Sequence, residues 1–145
     1  MSATDSMVTL QERMVNLIGQ LTMPVSEVAL VLQHHIQGLL GSLNEYAEKT
    51  GATISDRVSQ PWPIEERESN QSPITFDVEK VLKIVDQDRM DILSTLIRVT
   101  LVETSMDLVE GILALRAWEQ LVRQQLADAE GPGQLFSPLE LPEEW

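Results

Sequence analysis

Residues 24–51 read PVSEVALVLQHHIQGLLGSLNEYAEKTG, and most of the architecture follows from their pattern. Apolar side chains recur here every three or four residues, which is the period of a helix with one buried side. We predict a helix over residues 24–49, ended at Gly51, a residue type suited to a left-handed C-terminal cap. The predicted buried stripe consists of Ala29, Leu32, Ile36, Leu39, Leu43 and Tyr46.

The first half of this helix is apolar on every side between Val28 and Leu32. Such a pattern is typical of a helix at the centre of a bundle or of a dimer interface. Gly38 and Gly41 lie in the second half, and a glycine costs about 1 kcal/mol relative to alanine inside a helix. We therefore expect both glycines to allow the close approach of a neighbouring helix.

A second amphipathic helix precedes this one in the chain. Thr9 has the spacing of a capping box with the glutamate three residues later, so this helix begins near Thr9 or one turn earlier. Residues 22–25 predict a tight connection, with Thr22 as N-cap and Pro24 in the first turn of the following helix. The two N-terminal helices thus form a hairpin. The buried stripe of the first one is Met7, Leu10, Met14, Leu17 and Leu21.

Residues 51–74 lack helical periodicity and contain several prolines and a polar run. A stretch of this length without a pattern is typical of a functional loop or a linker. Trp62 lies between Pro61 and Pro63, on a segment that we expect to be stiff and extended. Two interpretations stay open: Trp62 fixes the loop to the helical bundle, or it is an anchor for a partner protein.

Residues 75–129 are rich in helix-forming residues, and Thr75 is a reasonable N-cap. Asp88 is able to start a new helix after the polar residues 86–89. Thr104 and Asp107 have capping-box spacing, so a turn near Ser105 predicts a hairpin or sharp kink, with one unbroken helix as the alternative. The long apolar series is Leu93, Ile97, Leu101, Leu108, Ile112, Leu115, Val122 and Leu126, widened by Leu96, Val99, Met106, Val109 and Leu113.

Together these patterns predict an all-α fold, namely a small helical bundle. Two N-terminal helices form a hairpin, a long loop follows, and a long or kinked helix or a second hairpin completes the chain. We expect residues 1–130 to form a single domain. Because the apolar stripes exceed what a chain of 145 residues easily covers, we expect dimerisation to complete the bundle.

Residues 131–145 form the remaining segment, which we predict to be an extended, acidic, proline-containing tail. Gly131-Pro132-Gly133 ends the preceding helix. An extended segment cannot bury its own large apolar side chains, so the tail docks on its own bundle, on a dimer mate, or on another protein as a linear motif. With Trp62, the candidate partner-binding residues are Leu135, Phe136, Leu139, Leu141 and Trp145.

The chain is strongly acidic, with 23 acidic and 10 basic residues and a net charge of −13. Residues 61–145 carry most of that charge. A field of this sign repels phosphate backbones and anionic lipids, so we predict no direct binding of nucleic acid or membranes. The sequence contains no cysteine, no apparent export signal and no apolar stretch of membrane-spanning length. We therefore expect a cytoplasmic protein.

Residues able to carry chemistry are few. His34 and His35 are the only histidines, and adjacent helical positions point about 100° apart, so the two cannot chelate one ion together. Asp86, Asp88 and Asp91 suggest a metal loop, but the glycine and glutamate of an EF-hand are missing at the required positions. No nucleophile elbow, phosphate-binding loop or dinucleotide fingerprint is present. We predict no enzymatic activity, no cofactor and no metal site.

The segment His34-His35-Ile36-Gln37-Gly38 resembles the H-x-x-K-G pattern of histidine phosphotransfer domains, which are cysteine-independent helical bundles of similar size. The resemblance covers about five residues and implies phosphotransfer through His34, which lies opposite the apolar stripe. Gln37 stands where the family has a basic residue that helps to hold the phosphoryl group. The negative charge of the chain also opposes a bound phosphate.

Three functional hypotheses follow. The first is a non-enzymatic helical interaction module, such as an adaptor, an assembly factor or a secretion-type chaperone, that presents apolar helix faces and an acidic surface to a protein partner. We expect its partners to include a second copy of the chain and proteins with a basic or apolar surface. The second is a signalling protein that transfers phosphate through His34. The third is an acidic mimic of nucleic acid.

Overall fold

The computed structural model describes residues 3–64, 85–128 and 138–139. These ranges contain five helices and no strand, which confirms the all-α prediction. The helices are α1 (Ala3–Leu21), α2 (Val25–Thr50), α3 (Asp56–Ser59), α4 (Gln87–Glu103) and α5 (Leu108–Ala127). Within the same ranges, no helix combines the length and the hydrophobicity needed to cross a bilayer.

The turn between α1 and α2 differs from the sequence prediction. Thr22 is not an N-cap but takes a left-handed conformation with φ +48°, while Pro24 occupies the N-cap position in extended backbone. The Met23 N–H donates to the carbonyl of Ile18, which closes the end of α1. Helix α1 begins at Ala3, so Thr9 lies inside the helix and does not cap it. The Thr9 hydroxyl donates to the Asp5 carbonyl one turn earlier.

Helix α2 ends as predicted, at a left-handed glycine. Gly51 has φ +71°, and its N–H donates to the carbonyl of Ala47. The prediction for Gly38 and Gly41 is wrong, because both are exposed and an added Cβ would meet no atom within 4 Å. At Gly111 of α5, an added Cβ would make ordinary van der Waals contact, 3.4 Å from a methyl group of Leu101.

Helices α4 and α5 are separated by a sharp turn, which confirms the predicted break near Ser105. Ser105 takes a left-handed conformation with φ +53°. Asp107 then caps α5: its carboxylate accepts from the Glu110 N–H at 2.7 Å, and the Glu110 carboxylate accepts from the Asp107 N–H at 3.4 Å. The capping box is therefore Asp107 with Glu110, and Thr104 is the C-cap of α4.

The core is almost entirely aliphatic and lies between α1, α2, α4 and α5. Trp118 of α5 is its largest member and is only 2% exposed. The segment predicted as a loop contains one helical turn, α3. A smaller cluster of Leu43, Val58 and Ile112 packs this short helix against α2 and α5. The main cluster comprises Leu10, Met14, Ile18, Met23, Val25, Val28, Val31, Leu32, Ile36, Leu93, Ile97, Leu115, Trp118, Val122 and Leu139.

Candidate interaction surface

Helix α4 is fixed at its N-terminus by a buried carboxylate of α2. Glu27 is 1% exposed and accepts from Arg89 Nε at 2.9 Å and from Nη2 at 2.7 Å. It also accepts from the Asp86 backbone N–H at 3.3 Å. Hydrogen bonding to Glu27 raises the pKa of Arg89 above its ordinary value. Asp86 itself caps the helix by accepting from the Asp88 and Arg89 N–H groups.

The C-terminal half of α4 is held by α1. Arg13 donates to Thr100 Oγ1 at 3.1 Å and to Glu103 Oε2 at 2.7 Å. Ser6 donates to the Thr104 carbonyl at 3.2 Å. Because both ends are tied to neighbouring helices, the orientation of α4 about its own axis is set, and so is the face that it turns to solvent.

The outward face of α4 carries a second apolar stripe. Ile92, Val99 and Val102 are 48%, 40% and 74% exposed, whereas Leu93 and Ile97 on the inward face are completely buried. Thr95 is also exposed and completes the spacing of three, four and three residues. At 100° per residue, these four side chains occupy an arc of about 80°. We call residues Ile92, Thr95, Val99 and Val102 the outer stripe.

One edge of the outer stripe is flanked by two opposite charges. Asp91 and Arg98 are both exposed and are seven residues apart, so they lie on the same side of the stripe about two turns from each other. Asp91 accepts from Gln87 Nε2 at 2.8 Å through one of its oxygens. An apolar strip with charges beside it is the usual composition of a helix surface that contacts another protein.

Trp62, a predicted partner-binding residue, contacts its own loop and the bundle. Its Nε1 donates to the Arg57 carbonyl at 2.8 Å, and the Arg57 guanidinium carbon lies 4.5 Å from the ring centre. Arg123 of α5 donates to the Trp62 carbonyl. The Trp62 ring also borders a groove of about 260 Å³ beside Trp118. These contacts correspond to the interpretation in which Trp62 fixes the loop to the bundle.

Of the predicted residues in the tail, the structure describes Leu139. It is 8% exposed and belongs to the main core. Its N–H donates to the Met23 carbonyl at 3.1 Å, and Gln125 Nε2 donates to the Pro138 carbonyl at 3.2 Å. At this point the tail docks on its own bundle. The other predicted contact residues, Leu135, Phe136, Leu141 and Trp145, lie outside the described residues.

The two histidines have different surroundings. His34 is exposed and borders a groove of about 270 Å³ whose polar residues include Gln87, Asp91 and Ser94. Neither lysine nor arginine is among the described residues that line it. His35 is half-buried, with Nε2 at 2.8 Å from Ser94 Oγ. Burial, and then the charges of His34 and Arg98, lower the pKa of His35.

The aspartates that suggested a metal loop have other contacts. Asp86 is a helix cap and Asp91 accepts from Gln87, as described above. In the described ranges, no group of three histidine or carboxylate side chains is placed to hold a metal ion. Comparison with protein-family models, curated proteins and solved structures finds no significant match to this chain.

Proposed function

We propose that the protein is a non-enzymatic helical interaction module, such as an adaptor, assembly factor or secretion-type chaperone, and that the outer stripe of α4 is its contact surface. The observation that carries the proposal is the exposure of three β-branched apolar side chains in helical register, with Val102 as much as 74% exposed. Single exposed apolar residues are ordinary, but an ordered stripe along one helix indicates a contact surface.

The contacts that hold both ends of α4 support the same proposal. The Glu27–Arg89 ion pair fixes one end of α4 and the Arg13 hydrogen bonds fix the other. Valine and isoleucine have few χ1 rotamers in a helix, so these side chains lose little conformational freedom when they are covered. When the side chains of a contact surface are already ordered before binding, the entropic cost of ordering them is smaller and the affinity is higher.

Phosphotransfer through His34 has less support from the surroundings of that residue. The groove beside His34 contains the carboxylate of Asp91 and, among its described lining residues, no cation. A phosphoryl group on the imidazole would meet negative charge without a neutralising partner. Mimicry of nucleic acid rests on the net charge of −13 alone, and both alternatives remain predictions from the sequence.

Site-specific photo-crosslinking in the native cell tests the proposal. Benzoylphenylalanine placed at Val102 should give a covalent adduct of defined mass, whereas the same group at Asn44, an exposed polar position on α2, should not. Adding Val99→Glu should remove most of the Val102 adduct, because a charge in the stripe is costly to cover. The proposal fails if Val102 gives no more adduct than Asn44, or if Val99→Glu leaves the yield unchanged.

A further inference from the structure

We infer that the outer stripe of α4 pairs with the outer stripe of a second copy of this chain, with the two α4 helices antiparallel about a two-fold axis near Thr95. This inference rests on the proposed function, because it names the partner for the same surface. The charge pattern beside the stripe, together with its apolar composition, makes the surface complementary to itself.

The geometry of a two-fold pair determines which residues meet. When two identical helices face each other in antiparallel orientation, a side chain on one edge of the contact meets the same edge of the other copy. With Thr95 at the axis, Ile92 lies opposite Val99 of the second copy, and the reverse contact forms as well. Val102 lies against the first turn of the other α4.

The same alignment brings opposite charges together. Asp91 and Arg98 lie on one edge of the stripe and are nearly equidistant from Thr95 along the helix. In the two-fold pair, Asp91 of each copy therefore lies opposite Arg98 of the other, which gives two identical ion pairs. A parallel pairing in register would instead place the edge that carries Asp91 and Arg98 against the opposite edge of the other copy, so neither of these ion pairs would form.

The net charge of −13 does not prevent this contact. At physiological ionic strength the Debye length is about 8 Å, so charges far from the contact are largely screened and those beside it dominate. Helix α4 has 17 residues, so a contact along it covers less than the roughly 800 Å² per partner of a standard interface. We therefore expect a dimer Kd on the order of 10 µM.

Charge reversal on the full-length chain tests the alignment by sedimentation velocity. Asp91→Arg alone and Arg98→Asp alone should each weaken dimerisation roughly tenfold, since each replaces two attractive pairs by two repulsive ones. The double variant should restore the affinity of the wild type. General repulsion between acidic copies predicts the opposite for Asp91→Arg, because this change lowers the net negative charge and would strengthen association.

A disulfide test locates the axis independently, because the chain has no cysteine of its own. Thr95→Cys should form a covalent dimer under mild oxidation, whereas Ser42→Cys, at an exposed position on α2, should stay monomeric. A wild type that remains monomeric up to about 500 µM overturns self-pairing, as does a double variant that fails to recover. If Val102 still crosslinks to a different protein, the proposed function stands and only the identity of the partner is wrong.

Discussion

His34 and His35 are adjacent on α2, but the rotation of the helix between them gives their side chains different surroundings. The two rings meet edge to face with their centres 5.6 Å apart, yet His34 faces solvent and His35 is partly enclosed beside α4. Ser94 Oγ lies 2.8 Å from His35 Nε2, and burial is the largest cause that lowers the pKa of His35. His35 is therefore harder to protonate in the folded chain than in the unfolded chain.

This shift predicts that acidification destabilises the protein below pH about 6.5, the ordinary pKa of histidine. The unfolded chain takes up a proton at His35 in that range while the folded chain resists it, so the free energy of unfolding falls as the pH decreases. Urea denaturation measures the free energy of unfolding at pH 7.5 and at pH 5.5. The difference between these two values should be smaller for His35→Gln than for the wild type. His34→Gln should change the difference less, and equal effects of the two variants would contradict the assignment.

At the scale of the element, the glycines of α2 give a matched set of substitutions. Gly38 and Gly41 are exposed inside the helix with open space around them, whereas Gly51 terminates it with a positive φ of +71°. The same change to alanine therefore has opposite expected effects. Helical propensity governs the first two positions, and the cost of a left-handed backbone for a residue with a Cβ governs the third.

We predict that Gly38→Ala and Gly41→Ala each stabilise the fold by roughly 0.5–1 kcal/mol, because alanine is the better helix former. Gly51→Ala should destabilise it by about 1 kcal/mol, since the left-handed region penalises a Cβ. Chemical denaturation followed by circular dichroism measures all three. Destabilisation by alanine at Gly38 or Gly41 would show that an interface outside the described contacts requires the small residue.

The sequence was informative about elements because their signals are local. The 3-and-4 spacing of α2, the cap at Gly51 and the break near Ser105 depend on residues that are adjacent in the chain. The spacing of residues 92, 95, 99 and 102 is equally visible in the sequence, but it does not tell whether these residues face the core or the solvent. Val99 was assigned to a widened core face and Ile92 to no face, because only the packing of α1 and α2 against α4 determines which side stays uncovered.

The contacts of single side chains could not be predicted for a related reason. Trp62 was placed in the correct loop, but its hydrogen bond to the Arg57 carbonyl depends on the helical turn of α3, which is too short to produce a periodic pattern. The ion pair of Glu27 with Arg89 joins residues 62 positions apart. The local sequence pairs Arg89 with Asp86, three residues earlier, and gives no sign of the contact with Glu27.

At the scale of the whole molecule, Pro138 and Leu139 of the tail lie at the turn between α1 and α2. An isolated bridge pairs Pro24 with Pro138, and the Leu139 side chain enters the core beside residues that precede α2. The chain thereby closes a contact between its N-terminal and C-terminal quarters. Because Leu139 is only 8% exposed and belongs to the main core, its side chain is a component of the core and is not free to act as a recognition motif.

The role of Leu139 in the core leads to the prediction that Leu139→Ala destabilises the fold by about 2–3 kcal/mol, the lower part of the range of about 2–5 kcal/mol for truncation of a buried leucine. Val8→Ala, at a side chain that is 47% exposed, should change the free energy of unfolding by less than about 0.5 kcal/mol. Urea denaturation of the full chain at two protein concentrations measures both. The loss of stability in Leu139→Ala should not depend on protein concentration, because the contact lies within one chain.

Two outcomes would contradict this assignment. A tail that bound a dimer mate would give a destabilisation that changes with protein concentration, and a tail that bound only other proteins would give no destabilisation.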